Sequence, residues 1–536
     1  MATTYLTPGV YVEEVDKGPK PIEGVGTSTA AFVGFAERGP VNQPTFITNW
    51  TQFVNAFGSF IPGGYLAHAV YGFFNNGGAT CYITRLPLGD ADTGGGAGGG
   101  KATKALPAGA VELPARAGAG AVALDVTARD PGASGSAITI DVEPATAPEG
   151  KTAAEDEFTV VVRQGDTEER FENVTFRKDR KARNVVDTVN ADSKLVRLAE
   201  RESTASPTER MPIPGSYPLA IASEAAMPAA TSTKIGTRVL IGDASDRSGL
   251  NGLEVAEDAT IVCFPDIMAL YQAGRLDMEG VQAVQQAMLD HAQNMGDRVA
   301  ILDAPPDVNP QQVRDWRMKE VNYDSKYGAL YYPWIKVADP LGNSSGIYVP
   351  PCGHMAGIWS RTDSTRGVHK APANEVIAGC IGLSYQTTHN EQSILNPVGI
   401  NVIRSFPGRG IRVWGARTIS SDPAWRYLNV RRLFNYIESS LLIGTQWAVF
   451  EPNDMDLWER IKRDISAFLA RTWLNGALFG RTAGEAYYVK CDAENNPPET
   501  RDVGQLIVEV GIAPVKPAEF VIIRLSQWQS GGSISE

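Results

Sequence analysis

The chain has 536 residues and a formal net charge of -12, with 43% hydrophobic and 21% charged residues. This length predicts about three or four domains, and the composition is that of a soluble globular protein, which argues against a chain that is disordered throughout. The acidic pI near 5.1 also argues against non-specific nucleic-acid binding by the whole chain, because neutralising phosphates requires a net basic surface.

The sequence also bears on membranes and disulfides. No apolar run reaches the roughly 18 residues of a membrane span, and the first residues, MATTYLTPGV, lack the basic and apolar regions of a signal peptide. We therefore expect cytoplasmic synthesis and assembly without membrane insertion. The cysteines are scattered and odd in number, which disfavours a disulfide framework and suggests buried apolar side chains. They are Cys81, Cys263, Cys352, Cys380 and Cys491.

The first 25 residues are predicted to form an extended arm, because proline and glycine interrupt them repeatedly. Val10–Val15 alternates apolar and polar side chains, which predicts one short strand. No hairpin partner follows nearby, and a lone strand is not stable in water. We therefore expect this strand to pair with a neighbouring subunit through Val10, Tyr11, Val12, Glu13 and Glu14.

Residues 26–89 and 234–360 are predicted to form a central α/β domain. Short apolar runs alternate with segments of helical spacing, so a parallel sheet covered on both faces is the simplest arrangement. The predicted strands are Ala30–Phe35, Thr80–Leu86, Thr260–Phe264, Val299–Leu302 and Leu330–Ile335. The predicted helices include Tyr65–Phe74, one marked by Val281, Val284 and Met288 and ending at Gly296, and one marked by Val313, Trp316 and Val321.

Residues 90–233 are predicted to form an inserted, β-rich domain. Its glycine-rich entry, residues 90–104, reads as a flexible linker, and proline and alanine dominate its exit, residues 203–233. Between them, Val122–Val126, Ile138–Val142 and Phe158–Val162 alternate as strands do.

Residues 361–511 are predicted to form a C-terminal core domain of helices and a sheet. One long helix is expected after the Asp422 cap, with Pro423 at its first position, and another after Asn453 or Asp454. Strands are expected at Tyr487–Cys491 and Leu506–Val510.

The last residues, 512–536, are predicted to form a C-terminal arm. Its strand, Glu519–Leu525, is apolar on both faces and so needs cover on both sides. As in the first arm, the contact is expected with a neighbouring subunit, through Phe520, Val521, Ile522, Ile523 and Arg524. The predicted fold class is therefore α/β and α+β multidomain, with a central α/β sheet domain, a helix-plus-sheet C-terminal domain, a β-rich inserted domain and extended terminal arms.

Catalytic and ligand-binding patterns are weak. Gly95–Lys101 spells G-x-x-x-x-G-K, but Ala102 stands where a phosphate-binding loop needs Ser or Thr. No G-x-S-x-G motif is present. Metal-ligand residue types cluster without the spacing of a zinc site, at Cys352, His354, His369, Cys380 and His389. We predict no catalytic residue, no cofactor and no metal.

The region after Glu391 reverses the sign of the chain's charge. Asp422 is its single acid as far as Leu433, against seven arginines: Arg404, Arg409, Arg412, Arg417, Arg426, Arg431 and Arg432. Such a reversal needs either a partner or an internal network of ion pairs. Because arginine is favoured at interfaces, we expect contacts within or between subunits rather than with nucleic acid.

Residues 366–433 resemble the signature region of contractile tail sheath proteins, the family of myophage tails, R-type pyocins and contractile injection systems. The strings that carry the resemblance are HKAPANE, LNPVGINVIR, PGRGIRVWGART and SSDPAWRYLNVRR, with TPGVYVEEV, FVGFAERGP and FFNNGGATCYITRL nearer the start and CDAENNPPE and LIVEVGIAPVKPAEFVIIRLSQW nearer the end. Only about 89–234 lacks a recognisable counterpart, and the resemblance implies that this variable insert lies on the outer surface, because an inward insert would collide with the tube.

The resemblance implies a structural subunit that stacks with itself as hexameric rings around an inner tube protein and contracts on firing. It also implies baseplate and terminator or cap proteins as partners, in a phage tail or a tail-like particle, including a released one. The arginines then become candidates for contacts with a neighbouring sheath subunit or with the tube. Two alternatives stay open: an enzyme, such as a hydrolase, on the α/β core, and a non-contractile structural homologue.

Overall fold

A computed structural model describes residues 21–87, 110–116, 122–129, 138–145, 154–165, 167–177, 183–200, 206, 208–219, 234–341 and 345–524. These residues form two compact units. The large unit comprises residues 28–365 and 372–428, and the terminal unit comprises residues 366–371, the chain before residue 28 and the chain from residue 429 onward.

The strands, in chain order, are β1 Ala30–Gly34, β2 Thr45–Ile47, β3 Cys81–Arg85, β4 Ala110–Pro114, β5 Val122–Ala128, β6 Ile138–Pro144, β7 Phe158–Gln164, β8 Thr167–Val174, β9 Val196–Glu200, β10 Gly215–Pro218, β11 Ile261–Cys263, β12 Val299–Asp303, β13 Gly328–Tyr332, β14 Ile335–Val337, β15 Ile347–Val349, β16 Cys380–Leu383, β17 Ile400–Phe406, β18 Gly410–Val413, β19 Tyr487–Lys490 and β20 Glu509–Ile512.

The helices, in the same order, are α1 Trp50–Phe57, α2 Leu66–Asn75, α3 Val185–Asp192, α4 Thr237–Ile241, α5 Asp266–Gln272, α6 Met278–Met295, α7 Pro310–Asp315, α8 Cys352–Arg366, α9 His389–Leu395, α10 Leu428–Gly444, α11 Met455–Leu474, α12 Ala483–Ala486 and α13 Pro498–Asp502. The π-helical segment Trp316–Val321 continues α7. Short 3-10 turns lie at Asn251–Val255, Asn396–Val398, Pro423–Trp425 and Gln446–Ala448.

The large unit is built on one eight-stranded sheet, with strand order β18-β17-β13-β12-β11-β1-β3-β2. The six inner strands are parallel, and each edge strand is antiparallel to its neighbour. Every residue of β1, β12 and β13 is buried, as expected for strands with both faces covered. The predicted parallel α/β sheet is confirmed.

Local sequence signals explain where the helices of the large unit begin and end. Asp277 accepts a hydrogen bond from the Gly280 N–H at the start of α6, and Gly296 ends α6 in a left-handed conformation with φ 74°. At α7, Asn309 and Gln312 form a capping box, with Pro310 in the first turn.

The strands β4 to β10 belong to the segment inserted between β3 and β11. They form two antiparallel sheets, β10-β6-β7-β8 and β4-β5-β9. Their apolar side chains make a core of their own, which shares no residue with the core around the eight-stranded sheet. The strands predicted at 122–126, 138–142 and 158–162 are present as β5, β6 and β7.

Three sequence predictions require correction in the large unit. The central sheet extends past the predicted boundary at residue 360, because β17 and β18 belong to it. The predicted strand Leu330–Ile335 is two strands, since β14 after Pro333 pairs with β15 and β16 instead. The helix predicted to start at Pro423 starts later, because Asp422 caps only the 3-10 turn Pro423–Trp425. The Arg426 carbonyl accepts a hydrogen bond from the Thr418 N–H rather than from a helical N–H, and α10 starts at Leu428.

The terminal unit packs around α11, which is amphipathic. Leu457, Ile461, Ile465, Phe468 and Leu469 recur on one face and are buried. Asp454, one of the two predicted caps, caps this helix by accepting from the Leu457 N–H at 2.8 Å. The strands β19 and β20 form a two-stranded antiparallel sheet, although β20 starts at Glu509 rather than at the predicted Leu506. No helix in the described ranges is both long and apolar enough to span a bilayer.

Candidate assembly surface

Three of the seven predicted contact arginines lie inside the chain. Arg417, Arg431 and Arg432 are only 8%, 1% and 4% exposed. The Arg431 guanidinium donates to Asn435 Oδ1 at 2.6 Å and to Glu438 Oε2 at 2.8 Å. A guanidinium held in this way cannot reach a partner, so the contact hypothesis does not hold for these three side chains.

Arg432 holds the chain just after the predicted N-terminal arm. Its Nη2 donates to the Thr27 carbonyl at 2.9 Å, and Arg471 Nη2 donates to the Ile22 carbonyl at 2.5 Å. Ile22 itself is 1% exposed, in the core of the terminal unit. Residues 22–27 are therefore fastened to α10 and α11, and they fix the point from which the preceding residues start.

Three of the other four arginines, Arg404, Arg409 and Arg412, lie on one β-hairpin. The arginine hairpin, residues 404–414, contains β18 and the turn that precedes it. The Phe406 and Trp414 ring centroids lie 4.5 Å apart. The Arg409 guanidinium lies 5.5 Å from the first ring and 5.6 Å from the second, and the Arg404 guanidinium lies 5.0 Å from the first. These cation–π contacts hold positive charge at the surface.

Four arginines remain candidates for contacts: Arg404, Arg409, Arg412 and Arg426. Arg409 and Arg426 are exposed, and Arg404 and Arg412 are half-buried. Arg412 donates to the Asn374 carbonyl at 2.7 Å, and Arg404 to Gln392 Oε1 at 3.0 Å. Within the part of the chain that the structure describes, none of the four has an acidic partner. Their charge is thus available to another molecule.

The terminal sheet has two open edges. Tyr487 pairs with Ile512 and Lys490 with Glu509, and each strand has a single strand neighbour among the described residues. Unpaired N–H and C=O groups along such an edge are a template for an added strand. The sheet can therefore accept a strand from elsewhere.

The C-terminal segment, residues 516–524, carries an uncovered apolar sequence. Phe520, Val521, Ile522 and Ile523 are 71%, 78%, 80% and 77% exposed. The strand predicted at Glu519–Leu525 does not form in the single chain, because no described strand lies beside it. Whether it forms against another subunit stays a prediction.

Two predicted features lie outside the described residues. They are the N-terminal strand at Val10, Tyr11, Val12, Glu13 and Glu14, and the glycine-rich segment Gly95–Lys101. Their assignments rest on the sequence alone.

Two buried carboxyls lie near the carboxyl edge of the parallel sheet, where α/β enzymes usually bind substrates. Asp266 accepts from the backbone N–H groups of Phe35 at 2.6 Å and Tyr65 at 2.5 Å, ahead of α2. Asp303 accepts from the Cys352 N–H at 2.9 Å, at the start of α8. Burial raises the pKa of Asp266 to about 6 and of Asp303 to about 7. Both carboxyls cap helices and are closed to solvent, so they offer no site for a substrate.

The metal-ligand residue types do not form a site. No group of three or more His, Cys, Asp or Glu side chains suited to a metal occurs among the residues that the structure describes. His354 is buried, and desolvation lowers its pKa to about 3. All five cysteines carry free thiols, and Cys380 alone is not fully buried.

Comparison with known families matches two consecutive stretches of the chain. Residues 257–419 match a family described as the phage tail sheath protein central domain, and residues 420–527 match the phage tail sheath C-terminal domain. Together the two families span about half of the chain. Their junction lies near the boundary between the large and terminal units at residues 428 and 429.

A curated relative and two solved structures agree with this match. A tail sheath protein of Vibrio phage KVP40 is 22% identical over 53% of this chain and 45% of its own length, so the chain spans less than half of that relative. The fold matches the anti-feeding prophage helical sheath in its contracted state, with a TM-score of 0.57, 24% identity and coverage of 98% of this chain and 100% of the other.

The second structure is the contracted sheath complex of an extracellular contractile injection system named PVC. It has a TM-score of 0.56 and 21% identity, and the match covers 98% of this chain and 99% of the other. These matched proteins are structural components rather than enzymes, and the hydrolase alternative is not supported.

Proposed function

Because the chain belongs to the phage tail sheath protein family, we propose that it is the structural sheath subunit of a contractile tail or contractile injection system. In this proposal, copies stack as hexameric rings around an inner tube protein, between a baseplate and a terminator or cap. The polymer shortens to drive the tube through a target envelope. The protein then resides in a phage tail or a tail-like particle.

The observation that carries this proposal is the pairing of an uncovered strand sequence with an open sheet in the same unit. Phe520–Ile523 is apolar and exposed, and β19 and β20 each have a free edge among the described residues. In beta-augmentation, a peptide adds a strand to an exposed sheet edge. When the strand and the sheet belong to different subunits, this pairing covers the apolar segment and supplies hydrogen bonds to the open edge. The N-terminal strand Val10–Glu14 is proposed to act in the same way.

The strength of such a link suits a sheath that must move without falling apart. Four to six backbone hydrogen bonds at roughly 0.5–1.5 kcal/mol net each would tether neighbouring subunits. Pro514 and Pro517 precede Phe520–Ile523 and set it apart from β20, because proline interrupts regular strand pairing, while residues 22–27 anchor the other arm. Rigid units can then rotate while the strands stay joined.

Contraction in this scheme needs no fuel at the moment of firing. The extended polymer is metastable, with free energy stored during assembly and released as subunits repack. We place the insert, which has a core of its own, on the outer surface of the sheath, since an inward insert would collide with the tube.

The test is electron microscopy of the full chain beside a variant that lacks residues 1–20. The full chain should form tubes, and tubes of two lengths and widths would separate a contractile sheath from a non-contractile homologue. The shortened chain should stay folded and soluble but form no long polymer.

The contacts that begin at Ile22 decide where this deletion must end. Ending it at residue 20 keeps Ile22 in its core and keeps the anchoring bonds from Arg432 and Arg471. Circular dichroism should therefore match that of the full chain. Normal tubes from the shortened chain would rule out the N-terminal strand as a link, and a full chain that never polymerises would count against the sheath assignment.

A further inference from the structure

A strained turn projects an aromatic side chain from the terminal unit. The Glu451 N–H donates to the Ala448 carbonyl at 3.2 Å, and Val449 has φ -67° and ψ 128°. Phe450 follows with φ 69°. These values describe a type II turn in which Phe450 occupies the position that requires φ above zero, normally Gly or Asn. For a bulky residue this backbone conformation is a true outlier.

The chain on both sides holds this turn in place. Before it, the Arg460 guanidinium lies 4.5 Å from the centre of the Trp447 ring. After it, Asn453 accepts from Trp458 Nε1 and donates to the Gln505 carbonyl, both at 2.8 Å. The turn is therefore fixed rather than loose, and its strain persists because its surroundings determine it.

Nothing within the described chain compensates this strain by burying the ring. Phe450 is fully exposed, and its neighbours Val449 and Met455 are 64% and 69% exposed. A strained backbone and an exposed phenyl ring are both unfavourable in the free chain. Strained residues concentrate at functional sites, so the arrangement points to a contact that the ring makes with another molecule.

The surroundings of the ring are acidic. Glu451, Asp454, Asp456 and Glu459 follow within nine residues and are all exposed. Arg460 is stacked on Trp447, and Lys462 lies near Glu459 at 3.7 Å. We define the acidic turn as residues 448–459. A partner for it needs positive charge beside an aromatic or apolar surface.

The same chain carries a surface of that description. The arginine hairpin presents Arg409 over the half-buried rings of Phe406 and Trp414, and neither Arg404, Arg409 nor Arg412 has an acidic partner in the described residues. Since the chain is acidic overall, positive charge concentrated at one hairpin is a specific complement to the acidic turn.

We propose that the acidic turn of one copy docks against the arginine hairpin of a second copy, with the Phe450 ring as its apolar anchor. The two surfaces are different, so each copy keeps one of each free after pairing. Such heterologous contacts generate rings or open helical polymers rather than closed dimers. The inference rests on the proposed sheath function and deepens it by adding a contact that does not use the terminal arms.

Two charge reversals test this contact. Arg409→Glu and Glu451→Arg alter exposed side chains, so each variant should melt as the unmodified chain does. Each should weaken self-association by about tenfold or more in sedimentation velocity over a concentration series, because like charges then face each other. Arg481→Glu, an exposed arginine outside both surfaces, is the matched control and should leave self-association unchanged.

Mixing the two defective variants identifies the partner. In an equimolar mixture, the new carboxylate at position 409 of one variant meets the new guanidinium at position 451 of the other, and the remaining pair is native. Alternating copies should therefore associate almost as the unmodified chain does. Failure of the mixture to recover would overturn the contact between copies. If both variants self-associate normally but bind co-purified tube protein more weakly, the acidic turn contacts the tube instead. That result would also overturn the proposal.

A third variant tests the strained ring itself. Phe450→Gly removes the side chain and makes φ 69° favourable, so the free chain should melt at the same or a higher temperature. Its self-association should weaken by about tenfold. Lower thermal stability would show that the ring is structural, which contradicts its assigned role. If the chain associates through this contact but never forms tubes, the proposed sheath function is wrong, whereas the proposed contact between copies still holds.

Discussion

Strand β12, with the sequence VAILD, and the segment Phe520–Ile523, with the sequence FVII, are both largely apolar, but the strand is buried and the segment is exposed. Every residue of β12 is buried between two parallel neighbours, whereas the four residues of the segment are at least 71% exposed. The large unit satisfies its strands internally. The terminal unit leaves apolar side chains uncovered, as the proposed pairing with another subunit requires.

The largest contrast should come from the same substitution in both places. Ile301→Asp puts a charge into a fully covered strand and should cost on the order of 4 kcal/mol or more, enough to unfold the large unit. Ile522→Asp alters a side chain that is 80% exposed, so the free chain should fold normally. Its polymer should fail to form. Circular dichroism and sedimentation of the two variants check this, and an unfolded Ile522→Asp chain would contradict the comparison.

A second contrast separates buried from exposed arginines. Arg431→Glu breaks the bonds to Asn435 and Glu438 and buries an unpaired acid, so it should destabilise the terminal unit by about 3–5 kcal/mol. Charge reversal at Arg431 therefore tests stability rather than assembly. Arg426→Glu, at an exposed position, should leave the denaturation midpoint unchanged. Equal midpoints for both variants would refute the structural role of Arg431.

The closed interior of the large unit should also be visible as a pH dependence. The pKa of Asp303 is about 7 in the folded chain, above its ordinary value of 3.8, so the folded state binds more protons between these values. Stability from this group is therefore lost as pH rises from about 4 to 7. Asp303→Asn should be more stable than the unmodified chain at pH 8, by about 2–4 kcal/mol, and should lose that advantage near pH 4.

Urea denaturation at both pH values measures this difference. Asn can still accept the Cys352 N–H, so the helix cap is retained. His68 and His354, whose pKa values are lowered to about 4 and about 3 by burial, act in the opposite direction and are the same in both chains. A constant difference between the two chains at all pH values would exclude titration of Asp303 as the cause.

The smallest effect is expected from removing the insert. Replacing residues 92–232 by a short Gly/Ser linker should leave the melting of the remaining large unit nearly unchanged, because the insert has its own core. Ring formation should survive as well. Loss of all soluble protein would show that the insert supports the eight-stranded sheet.

Elements with a signal in their own residues could be predicted from the sequence. Asp277, Gly296 and the capping box at Asn309 mark helix ends locally, and the apolar face of α11 recurs with helical period. The resemblance of residues 366–433 to sheath proteins likewise rests on long contiguous strings.

Features that depend on distant partners could not be predicted in the same way. The burial of Arg432 depends on the Thr27 carbonyl, which is 405 residues away. Arg431 carries a readable signal, since Asn435 and Glu438 follow at positions four and seven on the same helical face. The strain at Phe450 arises because this turn position disfavours a bulky side chain. Turn propensities therefore do not predict a turn of this type with phenylalanine at this position.

The position of the insert has a consequence for the order in which the chain is made. Ala30 of β1 pairs with Cys81 of β3 on one side and with Ile261 of β11 on the other. The ribosome must therefore synthesise the whole insert before β1 gains its second neighbour. During that interval the buried sequence AAFVG has an open edge, and long-range pairing of this kind is slow and prone to aggregation. An insert that collapses on its own core shortens the effective distance between the two halves of the sheet. In a nascent chain halted near residue 250, the insert should therefore resist protease, whereas β1 should still be cleaved.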